Sequence, residues 1–100
     1  MSEESWGFAP PAFQPEEALQ RLRRELREMG LSEREGSFER RGVRIARLKL
    51  GEGTLQAEIV RRPSRSSPEW NARALRSSAE VRDFAADLKK KLAQWSDTDD

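Results

Sequence analysis

The apolar residues of this chain change period twice, and that change limits the fold more than any other feature of the sequence. Leu19, Leu22, Leu26 and Met29 recur at spacings of three, four and three, which is one stripe along a helix. The following residues alternate instead, in the segments SFER, VRIARLKL and TLQAEIVR, separated by Arg41-Gly42 and by Gly51-Glu52-Gly53. Alternation broken by glycine turns predicts three strands in two consecutive hairpins. Val81, Phe84, Ala85, Leu88, Leu92 and Trp95 then return to helical spacing. One hundred residues hold a single core. The expectation is therefore an α+β domain in the order αβββα, a three-stranded antiparallel meander with two helices packed on one face.

Local signals support the helix ends. Pro15 suits a first helical turn, and Glu16 and Glu17 sit where the helix dipole favours acids. Gly30 is placed to close the helix as its C′ residue, with Leu31 returning a hydrophobic contact. On the polar face Arg21 and Arg24 stand four residues before Glu25 and Glu28, a spacing that predicts exposed ion pairs. Ser77 and Glu80 have capping-box spacing ahead of the last helix, and Lys89, Lys90 and Lys91 are expected to favour its negative pole.

The second hairpin fixes its own register. A loop over 51–54 pairs Leu50 with Leu55, Leu48 with Ala57 and Ala46 with Ile59, an apolar face, and sets Arg47 opposite Glu58 on the other. A one-residue slip would mix the two faces. That register leaves Ile45 opposite Val60 on the outer face, with Val43 nearby. The Arg41-Gly42 turn leaves two outcomes for Phe38: a two-residue turn pairs it with Ile45 outside, and a three-residue turn swings it into the core. Residues 1–14, with Trp6, Phe8 and Phe13 among prolines, read as an extended arm; 15–96 is the compact domain, and 97–100 is a disordered acidic tail.

Nearly all charge balances, but its layout does not. The chain carries a net charge of +1, yet residues 34–82 hold twelve basic residues against six glutamates. That excess reads as a moderate footprint for an anionic partner, with a solvated arginine-rich surface as the alternative. It gathers in Arg61-Arg62-Pro63-Ser64-Arg65-Ser66-Ser67-Pro68-Glu69-Trp70, read as part of a stiffened crossover of about fifteen residues between the sheet and the last helix. Trp70 is expected to pin this loop to the core rim. The candidate anion or nucleic-acid surface is Arg44, Arg47, Arg61, Arg62, Arg65, Arg73 and Arg76, whose planar forks suit phosphate oxygens. A competing surface is a protein interface or homodimer contact on the uncovered sheet face, centred on Phe38, Val43, Ile45 and Val60.

Several chemistries lack their residues. The chain contains no histidine, cysteine or tyrosine, so imidazole bases, thiolate nucleophiles, disulfides and thiolate metal sites are excluded. No phosphate-binding glycine loop occurs, and the acidic tail lacks the pattern of a calcium loop. The expectation is a non-catalytic binding module without cofactor or metal. No signal peptide and no apolar run of about 20 residues occurs, which points to the cytoplasm and away from membranes. The expected element order is similar to that of double-stranded-RNA-binding domains, although Glu80 and Asp83 occupy the helix start where those domains carry basic residues. Order alone implies no function.

Overall fold

The computed structural model describes residues 12–98, with side chains to residue 96. Its elements are helix α1 (Pro15–Glu28), strands β1 (Ser32–Arg34), β2 (Ser37–Arg40), β3 (Val43–Leu50), β4 (Leu55–Val60) and β5 (Trp70–Leu75), and helix α2 (Ser78–Thr98). The five strands form one antiparallel sheet in sequence order. The fold is α+β, as its periodicity implies. The sheet has five strands where the alternation pattern suggested three.

Both helices end and begin where the side chains dictate. In α1 the Gly30 N–H reaches Arg27 O (3.0 Å) and the Leu31 N–H reaches Leu26 O (3.2 Å), the two bonds of a Schellman motif. Gly30 has φ +95°, a left-handed conformation that glycine adopts without a Cβ clash. In α2 the Glu80 N–H donates to Ser77 Oγ (3.2 Å), while Glu80 Oε1 accepts from the Arg76 N–H (2.6 Å). The return arm of the capping box thus lands one residue before the cap.

Two details of the helices differ from expectation. Arg23 and Arg27, rather than Arg21 and Arg24, make the ion pairs of α1; both reach Glu33 of β1 (2.8 and 3.0 Å), tying helix to sheet edge. α2 runs to Thr98, so Lys89, Lys90 and Lys91 lie well inside it and not at its negative pole. Lys91 pairs instead with Asp87 one turn earlier (3.3 Å). The end of α2 receives its cation from the sheet: Arg40 donates to Leu92 O (3.3 Å) and Ser96 Oγ (2.8 Å). Residues 97 and 98 are accordingly helical, and the remainder of the expected tail lies outside the described residues. Of the expected arm only 12–14 are described, and Phe13 packs on the core.

The core lies between the sheet and the helix pair. Leu22 and Leu26 of α1, and Val81, Phe84, Ala85, Leu88 and Leu92 of α2, join Leu48, Leu55, Ala57 and Ile59 in one buried cluster. The β3–β4 ladder adopts the register that the apolar pattern selects, with Leu50 opposite Leu55 and Arg47 opposite Glu58. Leu50 departs from expectation, being 41% exposed at the strand end.

Phe38 resolves in a way that neither turn length alone provides. The turn has two residues, Arg41 (φ 56°) and Gly42 (φ 79°), both left-handed as a type I′ hairpin requires. A bulge then shifts the register, so that Arg44 faces Glu39 but Ala46 faces Phe38. The extra residue in β3 puts Ile45 and Ala46 together on the buried side and carries Phe38 in with them. Phe38, Ile45 and Val60 are each 1% exposed or less and Val43 is half-buried, so these four form no apolar patch on an uncovered face. The outer face instead carries the polar and small residues Arg47, Lys49, Gln56, Glu58, Ala72 and Ala74, with the half-buried Trp70 at one end.

Candidate functional site

The supposed crossover after β4 is a hairpin. The Arg61 N–H bonds Glu69 O (2.8 Å), and Trp70 enters β5 opposite Val60. Trp70 does anchor the segment, half-buried against the core, but as a strand residue. The loop between Arg61 and Glu69 is ordered from within: Ser64 Oγ accepts from the N–H groups of Ser66 and Ser67 (3.3 Å each).

The hairpin disperses the seven arginines expected to form one strip. Arg47 lies on the outer face, stacked 4.0 Å over the Trp70 ring and paired with Glu58 (2.7 Å). Arg44 is exposed on β3, one residue before the bulge. Arg61 pairs with Glu69 across the loop neck (3.5 Å). Arg73 points the opposite way, toward α2, bonded to Asp87 (2.6 Å) and 5.3 Å from the Phe84 ring. Arg76 is exposed at the approach to α2. Only Arg62 and Arg65 remain together.

Those two meet a pair that the sequence did not single out. In an antiparallel meander alternate turns fall at the same end of the sheet, so the β2–β3 turn lies beside the β4–β5 loop. Arg40, Arg41, Arg62 and Arg65 thereby ring one open cleft of about 430 Å³. Val43, Ile45, Pro63 and Trp95 of α2 supply its apolar wall. Among the described residues Ser64 is the remaining lining residue, and none of the lining residues is a carboxylate. Arg40 is held in place by its bonds to α2, whereas Arg62 and Arg65 have no ion-pair partner among the described residues. The signal for Arg40 and Arg41 was present in the doublet before Gly42. Joining it to Arg62 and Arg65 required knowing that Trp70 starts a strand.

Guanidinium groups beside an aromatic wall can receive an anionic group that carries a planar or apolar body. Other chemistry finds less support. Among the described residues no three His, Cys, Asp or Glu side chains converge as metal ligands, and no helix is long and apolar enough to cross a membrane. The Asp87 carboxyl has a displaced pKa. Partial burial alone would raise it, but hydrogen bonds and charge from Arg73 and Lys91 outweigh burial and hold it below its ordinary value. A carboxyl shifted downward is ionised at neutrality and serves as a structural anchor rather than a proton donor.

The Asp87 triad makes stability depend on acid. A depressed folded-state pKa contributes stability above the unfolded value, about 3.9, and loses it as pH falls through the lower folded value. Denaturant midpoints are therefore expected to fall for the natural chain below pH ~4, and Asp87→Asn should reduce that acid dependence. Equal acid slopes for the two proteins would show that the triad has no such linkage.

No protein-family model, curated protein or solved structure matches this chain.

Proposed function

We propose that the chain is a non-catalytic binding module that holds a phosphate-bearing polyanion, nucleic acid foremost, at the arginine cleft formed by the β2–β3 turn, the β4–β5 loop and the end of α2. One observation carries this reading: four arginines from two separate turns ring a single cleft whose lining, among the described residues, includes no acid. Arg62 and Arg65 have no ion-pair partner among the described residues, and an anion at the cleft supplies one. The forked guanidinium groups grip phosphate oxygens, and the apolar wall accepts the adjoining sugar or base. Such contacts position a backbone without reading its sequence. The absence of histidine, cysteine and tyrosine supports a non-catalytic role. A protein interface on the outer sheet face loses its support because Phe38, Ile45 and Val60 are interior.

The test is a titration of a fluorescein-labelled oligonucleotide, single-stranded and duplex, followed by anisotropy at rising salt. Engagement of the four arginines gives a log–log salt slope of about −2 to −4. An unchanged anisotropy at micromolar protein in low salt would sink the proposal.

A further inference from the structure

The two edges of the sheet are treated differently. β1 is three residues long and carries the exposed Arg34, the brevity and charge that discourage strand addition. β5 is six residues long, contains neither proline nor lysine, and leaves Asn71, Ala72 and Arg73 exposed. Its one charge does not guard the edge, because Arg73 is drawn back to Asp87 and Phe84 in the helix layer. We infer that the free edge of β5 pairs antiparallel with the same edge of a second copy of this chain, joining two five-stranded sheets into one.

The register follows from the hydrogen-bond pattern. The Arg61 N–H to Glu69 O bond makes these two a hydrogen-bonded pair, and such pairs recur at every second residue. Ile59–Asn71, Ala57–Arg73 and Leu55–Leu75 are therefore bonded pairs within the chain. The Gly51 N–H to Thr54 O bond gives the same parity from the other side of β4, by assigning Gln56 and Glu58 to β3. Trp70, Ala72 and Ala74 are left with N–H and C=O groups directed away from the sheet, without a strand partner among the described residues.

A two-fold axis perpendicular to the sheet preserves its faces, so it must pass through a residue and not between two. Centred on Ala72, it sets Ala72 opposite Ala72 of the second copy and Trp70 opposite Ala74, so all three outward-directed residues enter hydrogen-bonded pairs. Centred on Arg73, it loses the pairs made by Trp70 and brings two guanidinium groups face to face. The Ala72 register is favoured on both counts. Its outer face places each tryptophan over a small alanine, and its helix-side face sets each Asn71 opposite an Arg73, whose guanidinium can donate to the amide oxygen. The partner chemistry that fits this edge is its own.

Sedimentation of the full chain tests the inference. The expected species has twice the 11.5 kDa chain mass. Ala72→Pro removes an N–H that β4 does not use and should raise the dimer dissociation constant at least about tenfold, with helix signal and melting unchanged. Ala72→Lys, which sets like charges together at the axis, should do the same. The chain has no cysteine, so Ala72→Cys supplies a single thiol about 5.5 Å, Cα to Cα, from its copy and should crosslink on oxidation. Ala74→Cys, opposite Trp70, should not. A species of 11.5 kDa at every concentration overturns the inference. A dimer indifferent to both Ala72→Pro and Ala72→Lys, or crosslinked by Ala74→Cys instead of Ala72→Cys, overturns it equally.

Discussion

Phe38→Ala is expected to destabilise the protein by about 3–5 kcal/mol, a large part of the roughly 5–15 kcal/mol that holds a domain of this size. The ring is 0% exposed and sits opposite Ala46, where the bulge in β3 has brought Ile45 and Ala46 together. Removing it leaves a cavity bordered by the most constrained part of the sheet, which has little freedom to collapse. Chemical denaturation read by tryptophan fluorescence gives the cost directly. Phe38→Leu should lose less, because it retains most of the buried apolar volume. A cost for Phe38→Ala below about 1 kcal/mol would place the ring on the surface, as an unbulged hairpin would.

The bulge also explains how far the sequence could be read. The helical stripes, the Schellman end at Gly30, the Ser77 cap and the β3–β4 register are all local signals, carried by residues within one turn or one hairpin, and each appears in the structure where its spacing places it. Phe38 depends on one unpaired residue in a neighbouring strand, and a period-two pattern cannot reveal such an insertion. β1 escapes because Ser32, Glu33 and Arg34 contain no apolar residue; only the Glu35-Gly36 turn, left-handed at both positions, folds it onto β2. β5 escapes for a related reason. Its core-facing positions are Asn71, Arg73 and Leu75, and its outer ones include Ala72 and Ala74, so neither face alternates clearly in polarity. Without β5 the hairpin loop reads as a crossover, which gathers into one strip arginines that the hairpin disperses. The basic character of residues 61–65 was legible, but its alignment with the 40–41 turn is a property of topology.

That alignment gives the sharpest functional expectation. Arg62→Glu combined with Arg65→Glu should weaken oligonucleotide binding by about 100-fold or more, since each charge-assisted contact contributes about 1.5–3 kcal/mol and each tenfold corresponds to about 1.4 kcal/mol. Both side chains are exposed and without ion-pair partners among the described residues, so stability should stay within about 0.5 kcal/mol of the natural chain. The reversal acts twice: it removes two donors from the phosphate, and it offers Arg40 and Arg41 carboxylates that compete for the same position. The salt slope should flatten toward zero as the contacts disappear. Arg44→Glu is the informative comparison, because Arg44 is equally exposed and equally unpaired but does not line the cleft. It should weaken binding only through the overall field, by less than about tenfold at moderate salt. Equal losses from Arg44→Glu and the double variant would mean that the polyanion responds to the general charge of the sheet and loops. The assignment of the cleft would then fail even though the protein bound nucleic acid.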